Sequence, residues 1–324
     1  LFCLIFRAGW FIIRKNEGEQ HMRLGVMTNL FRARRRGQPG HNYIEQVRLC
    51  ATAGFRVLDL NVTDSARPGS QSDLAGDDWE AKIDALGEEA AKLGVSFSQA
   101  HAPYNGNLFI YGRQPDEDYF ALFREMSRRC VIAAGRLGIK RITIHPLTDT
   151  VNTEYDNGIQ KRTNIEFYSP MMELAKACGT GLAVENIAEV DLTRARRTYC
   201  ANTDDLIDLV DTVRDPVLGV CWDFGHARMM FSDQPRQLRK IGRRLCATHV
   251  QDNTGRRDSH LIPFVGGNIR WEEIMPVLKE IGYAGDFILE CHSFMKEVPD
   301  TLRQSAARLA YNFGMYCMDI YERA

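Results

Sequence analysis

Nine cysteines are spread along 324 residues with no Cys-x-x-Cys pair and no regular spacing. An odd, unpatterned set in a chain of this size argues against a disulfide framework and for a reduced, cytoplasmic protein. Cys221, Cys246 and Cys291 sit in or beside predicted strands and read as small packing residues. No charge of either sign is in excess: 41 Lys and Arg stand against 42 Asp and Glu, a formal net charge of −1. No global field therefore favours DNA, RNA or an anionic membrane. The basic run Arg32, Arg34, Arg35, Arg36 is local and reads as a solvated loop, with phosphate or substrate capture as the alternative. No G-x-G-x-x-G or Walker sequence follows any predicted strand, which counts against dinucleotide and P-loop chemistry. No Pro/Gly/Ser linker divides the chain. The apolar part of LFCLIFRAGWFIIRKNEGEQ is broken by Arg7 and falls short of the roughly 20 apolar residues a membrane helix needs. No small-residue cleavage site follows it. Met22 directly precedes the first strand. The expectation is that Met22 is the natural start, that residues 1–21 are an extension outside the fold, and that residues 22–324 form one domain. A membrane-surface anchor is the lesser reading of the extension.

What is present is a rhythm. Eight short apolar stretches alternate with helix-length segments: RLGVMTNL (Arg23 to Leu30), FRVLDLN, VSFSQAH, RITIH, LAVE, GVCWD, CATHV and FILE. Apolar runs of about five residues separated by helices are the mark of buried parallel strands. The helices carry their own punctuation, with Gly54, Gly94 and Gly138 as stops and Asn202 as a cap. Expected helices include Asp78 to Leu93, Asp116 to Leu137, Ile159 to Cys178 and Leu302 to Tyr321. A β-then-α alternation repeated eight times predicts an α/β protein with a (β/α)8 TIM barrel.

The strands end on chemistry. His101, His145, Glu185, Asp223, His249 and Glu290 close six of them, and a barrel of this kind places its site at that end. Glu185, Asp223, His249 and Glu290 end the last four strands, which are neighbours around the mouth. Three carboxylates and one imidazole make an oxygen-rich set that suits one divalent ion, Mn²⁺ first, with Co²⁺, Mg²⁺, Zn²⁺ or Fe²⁺ as alternatives. Without a cation the carboxylates would repel one another. Asp223-Phe-Gly-His226 places a second His on the turn over the mouth. The loop from Gln251 to Trp271 carries Arg256, Arg257, Asp258 and His260, an array of donors and acceptors fit for substrate. Trp222 precedes an inward Asp223 and should point outward to the helices. Trp271 should begin a helix.

V-E-N at Glu185, D-F-G-H at Asp223, H-V-Q-D-N at His249 and D-S-H-L-I-P…G-G-N-I-R-W together resemble the xylose-isomerase-like TIM-barrel superfamily, from about Arg23 to the last helix. That superfamily holds sugar and sugar-phosphate isomerases and epimerases, inosose dehydratases and class II apurinic endonucleases. The resemblance implies that Glu185, Asp223, His249 and Glu290 bind one divalent metal. It implies a metal-dependent sugar or sugar-phosphate isomerase or epimerase, working by proton abstraction next to a carbonyl through a metal-stabilised enediolate. Glu185 and Glu290 would then be the acid/base pair. His145 is the next catalytic candidate, and as a base it would suit a lyase of inosose-dehydratase type or a 3-keto C-glycoside deglycosidase. His101, His226, Arg257, Asp258 and His260 are the expected substrate contacts. The endonuclease branch uses three zinc ions, and His101, His145, His226, Asp258 and His260 fall where it would want them. The near-neutral charge speaks against that reading. A non-catalytic assembly subunit is a further alternative. The expected partners are a carbohydrate substrate and a second copy or a small partner subunit, with no nucleic acid and no membrane.

Overall fold

Eight apolar segments pair edge to edge as parallel strands: β1 (Leu24–Met27), β2 (Val57–Asn61), β3 (Ser96–His101), β4 (Arg141–Ile144), β5 (Gly181–Glu185), β6 (Leu218–Asp223), β7 (Leu245–His249) and β8 (Phe287–Leu289). The computed structural model describes residues 21–31, 41–104, 116–148, 155–189 and 198–324. The basic run at Arg32, Arg34, Arg35 and Arg36 lies outside the described residues. The sheet order is β7-β6-β5-β4-β3-β2-β1-β8. A parallel bridge between Val250 and Leu289 joins its two ends, with Val250 N donating to Ile288 O at 2.7 Å and Glu290 N to Val250 O at 2.8 Å. The ring is thereby closed into the expected (β/α)8 barrel.

The helices begin where local side chains satisfy their free N–H groups. Helix α1 (Tyr43–Ala53) opens on a reciprocal cap between Asn42 and Glu45 and stops at Gly54, whose φ of 113° suits a residue without Cβ. Helices α2 (Trp79–Lys92), α3 (Glu117–Arg136) and α4 (Asn157–Ala177) lie within two residues of the expected limits at each end. In α5 (Thr203–Val213) Asn202 caps by accepting from Asp205 N.

Two departures matter for the site. The first strand ends at Met27 rather than Leu30, because Thr28–Phe31 bends into a buried 3-10 turn. The Thr28 hydroxyl accepts from Asn61 N there at 3.1 Å. Between β6 and β7 the chain makes two short helices that periodicity did not reveal, α6 (Phe224–Met230) and α7 (Gln234–Ile241). Each is too short for an apolar period to register. Asp223 ends β6 and also caps α6, accepting from His226 N at 2.6 Å. Helices α8 (Trp271–Glu280) and α9 (Arg303–Arg323) complete the ring, and Trp271 does begin a helix.

The core has two shells. Between strands and helices, Trp222 is fully buried, stacks near Phe231 and donates from Nε1 to Gln234 Oε1 at 3.3 Å. It faces outward, as its place beside Asp223 requires. Inside the barrel, Met27, Val57 and Ile288 form one group and Ala183, Cys221 and Ala247 another. Trp222→Ala is expected to destabilise the chain by about 3–5 kcal/mol, read as a lower denaturant midpoint. An unchanged midpoint would contradict this packing. The described cysteines are free. Burial pushes the Cys221 and Cys291 thiols up to about 12 and that of half-buried Cys246 to about 11, so they pack rather than react. Among the described residues no helix is long and apolar enough to cross a membrane.

Candidate metal centre

Parallel pairing brings Asp223 level with His249, and Glu185 level with Cys221 two residues before Asp223. Side chains two apart on a strand share a face, so Glu185, Asp223 and His249 all point into the mouth. Glu290 follows the last residue of β8 and joins them. One ligand atom from each of the four lies within 4.8 Å of the others. They are 1%, 0%, 0% and 7% exposed. His249 Nδ1 stands 3.1 Å from Glu185 Oε1 and 3.2 Å from Glu290 Oε2.

The charges do not balance among these groups alone. Burial works to raise the Glu185 carboxyl, but His249, His145 and His101 outweigh it and hold it well below the usual range. Glu290 is lowered in the same way, burial being overcome by His249 and His260. Burial raises Asp223, and Glu185, Glu290 and Asp258 add repulsion that His226 only partly offsets. Asp223 Oδ2 is buried without a hydrogen-bond partner. A buried anionic oxygen left bare among three other ligand atoms is what a divalent cation would satisfy, so the residues present fit one.

A histidine shell surrounds this cluster. His101 Nδ1 donates to Ala102 O at 2.9 Å, which leaves Nε2 facing Glu185 Oε2 at 3.6 Å. His145 Nε2 approaches the same oxygen at 3.1 Å. One ligand atom from each of His101, His145 and Glu185 also falls within 4.8 Å of the others. His226 lies in the first turn of α6, its Nδ1 donating to Asn186 O at 2.9 Å and its Nε2 3.5 Å from Asp258 Oδ2. His260 Nε2 is 2.9 Å from the same Asp258 oxygen. Nine of the ten expected site residues are thus brought together. Arg257 is not: it is exposed on the loop after β7, as is Arg256.

Asp59 and His292 escaped the sequence reading, and Gln251 and Asp252 entered it only as members of the loop after the seventh strand. Asp59, fully buried in β2, has Oδ2 3.9 Å from His249 Nε2 and accepts from Gln99 Nε2 at 3.3 Å. A carboxylate in the middle of VLDLN was the available signal. Gln251, two past His249 and so on the same face, donates from Nε2 to Asp223 Oδ1 at 3.3 Å and to Asp258 Oδ1, and accepts from His260 N at 3.2 Å. Its amide fills the space a Cβ on Gly225 would take, which explains the glycine in D-F-G-H. Asp252 accepts from Asn253 N, Ile269 N, Phe264 N and Trp271 Nε1 at 2.8–3.2 Å and so pins both ends of the loop. His292 lies beyond β8. At 3.9 Å the Asp59 carboxylate does not hydrogen-bond His249, whose Nε2 has no partner, and so it acts on the ring as a nearby buried charge. Removing that charge in Asp59→Ala is therefore expected to weaken the binding of a divalent ion at this cluster, read by calorimetry with Mn²⁺ as a higher Kd. An unchanged affinity would reduce Asp59 to a packing residue.

Residues 47–311 match the family described as xylose isomerase-like TIM barrel. The L-ribulose-5-phosphate 3-epimerase UlaE of Escherichia coli is 22% identical over 260 residues, 80% of this chain and 86% of that protein. Two uncharacterized curated relatives, at 26% and 38% identity, are matched over 62% and 30% of their own length, so the chain spans less than two thirds of them. A solved D-tagatose 3-epimerase-like protein superposes with a TM-score of 0.69 at 21% identity, covering 93% of this chain and 99% of that one. The IolI protein, solved with a bound zinc atom, gives the same TM-score at 16% identity, with the same coverage. At such identities the two structures establish the fold they share with this chain.

Proposed function

This chain belongs to the xylose isomerase-like TIM-barrel family, and from that premise we propose that it is a divalent-metal-dependent isomerase or epimerase of a sugar or sugar phosphate. The observation that carries this reading is the convergence of Glu185, Asp223, His249 and Glu290 on one buried point, with an Asp223 oxygen left unpartnered. These four would hold one ion, Mn²⁺ being favoured by three carboxylates and one imidazole, with Co²⁺, Mg²⁺, Zn²⁺ or Fe²⁺ as alternatives. When bound, such an ion supplies Lewis acidity to a carbonyl and a neighbouring hydroxyl.

The chain's own groups supply the rest. Glu185 and Glu290 flank His249 and come from strand ends separated by β6 and β7. One takes the proton from the carbon beside the carbonyl, and the other delivers a proton to that carbon's opposite face. One C–H bond breaks and one forms, so the substrate's composition is unchanged. His101 and His226 orient substrate hydroxyls, and Asp258 and His260 line the outer rim. Arg257, exposed on the loop after β7, would meet substrate only from the solvent side. The Tyr104 ring, 44% exposed and 5.5 Å from His145, offers an apolar wall for the sugar carbons. Residues 22–324 are taken as the functional domain, in the cytoplasm, with a second copy or small partner subunit as the possible assembly.

A second reading follows from His145 Nε2 at 3.1 Å from Glu185 Oε2. An imidazole there could act as base in a β-elimination, making the chain a lyase that starts with the same C–H abstraction. A zinc endonuclease ranks last, because a net charge of −1 supplies no field for phosphates. The test is proton–deuterium exchange in D₂O on free and phosphorylated ketoses, with Mn²⁺ and with chelator. Manganese-dependent exchange supports the epimerase, and exchange accompanied by loss of water or aglycone supports the lyase. Turnover indifferent to every divalent ion would end both.

A further inference from the structure

We propose that the mouth has a second, outer cation position formed by His260, Glu290 and His292. One ligand atom from each of the three lies within 4.8 Å of the others. His292 starts the one-turn 3-10 helix His292–Met295 after β8, two residues past Glu290. Its Nδ1 is buried and has no hydrogen-bond partner. A buried imidazole nitrogen without a partner is unfavourable unless something beyond the protein's own groups meets it. Its ring centroid is 4.4 Å from that of His260. Neither proton transfer assigned above employs His292.

His260 is held at both ring nitrogens, one by a carboxylate and one by a backbone carbonyl. Its Nε2 is 2.9 Å from Asp258 Oδ2, and its Nδ1 is 3.1 Å from the carbonyl oxygen of Glu290. Asp258 is held in turn by the Gln251 amide. A carboxylate behind one ring nitrogen is the arrangement that orients a metal-binding histidine and strengthens its other nitrogen. Asp258 would thus serve as the orienting group, and an ion would take the place of the Glu290 carbonyl at Nδ1. The backbone of His260 is left-handed, with φ 45°, a conformation a non-glycine residue keeps only where its surroundings enforce it. The His260 N–H donating to Gln251 Oε1 at 3.2 Å and the backbone bridge between Asp252 and the next residue, Leu261, supply that enforcement. Two imidazoles and one carboxylate suit Zn²⁺, Co²⁺ or Fe²⁺ better than Mg²⁺. Glu290 also belongs to the inner cluster, so the two positions would share it.

The inference does not depend on the reaction assigned above, and its test needs no substrate. Full-length metal-free protein is titrated with Zn²⁺ and freed of loose ion, and bound zinc per chain is measured by elemental mass spectrometry. Wild type should hold one equivalent more than His292→Gln. Asp223→Asn should lose the inner equivalent and keep the one that depends on His292. Asp258→Asn, which leaves all three ligands in place, should weaken the outer equivalent about 10–100-fold. This variant carries the test if His292→Gln fails to fold by circular dichroism. Equal zinc content in wild type and His292→Gln would overturn the proposal. So would an extra ion that survives His292→Gln but is lost in His226→Ala, since it would belong to His226 and Asp258 instead.

Discussion

Glu290→Gln is expected to lower C–H exchange about 10²–10⁴-fold, the range associated with losing a positioned general base, while His101→Asn keeps exchange within about tenfold of wild type. Gln has the shape of Glu and retains an oxygen that can face a cation, but it cannot take up a proton. Glu290 is 7% exposed with Oε2 3.2 Å from His249 Nδ1, so the exchange of oxygen for NH₂ is made inside the cluster. The substitution also removes a negative charge beside His249 and will weaken the ion. The comparison must therefore be made at saturating Mn²⁺, where a loss of affinity no longer registers. His101 stands differently: its Nδ1 is committed to Ala102 O and its Nε2 reaches only to 3.6 Å from Glu185 Oε2. It can orient Glu185 without exchanging a proton with substrate. A Glu290→Gln protein that exchanges at the wild-type rate would remove Glu290 from the proton path. An equal loss in His101→Asn would move the base toward the His101–His145 side, and His145→Asn would then decide between isomerase and lyase.

The strand ends were legible because a barrel strand has two strict demands, an apolar interior and a chemical mouth. LAVE, GVCWD and CATHV each satisfy both, and Glu185, Asp223 and His249 fell where the alternation put them. The helices with full caps, such as α3 behind Asp116, were readable for an equally local reason. What stayed hidden depends on contacts across sequence. Asp59 gains a role only when β2 faces β7 across the barrel, 190 residues away. Gln251 matters because Gly225 leaves it room, and neither residue announces the other. Arg257 looked like a substrate contact beside Asp258. In the loop that Asp252 pins down, however, Asp258 turns in toward His226 and His260 while Arg257 stays exposed. Short helices α6 and α7 were lost because seven or eight residues do not complete enough turns to show a period.

Saturating Mn²⁺ should stabilise the wild-type chain, and Asp223→Asn should abolish most of that gain while leaving the metal-free protein at least as stable as wild type. Ligand binding to the folded state alone adds about 2.7 kcal/mol at a hundred times the dissociation constant. For a chain of this size that corresponds to a rise of several degrees in melting temperature. The expected reversal comes from the two oxygens of Asp223. Oδ1 accepts from His226 N at 2.6 Å and from Gln251 Nε2 at 3.3 Å, and an asparagine oxygen keeps both bonds. Oδ2 is buried and unpartnered among Glu185, Glu290 and Asp258, so replacing it with a neutral amide relieves repulsion when no cation is present. With a cation present, the same replacement removes an anionic ligand. One substitution therefore moves stability in opposite directions under chelator and under Mn²⁺. A residue that merely packs, or merely caps α6, would shift both melting curves the same way. Thermal unfolding of the two proteins in chelator and in excess Mn²⁺ measures all four values. A wild-type curve that no divalent ion moves, or an Asp223→Asn protein that gains as much as wild type, would show that these four side chains do not share an ion.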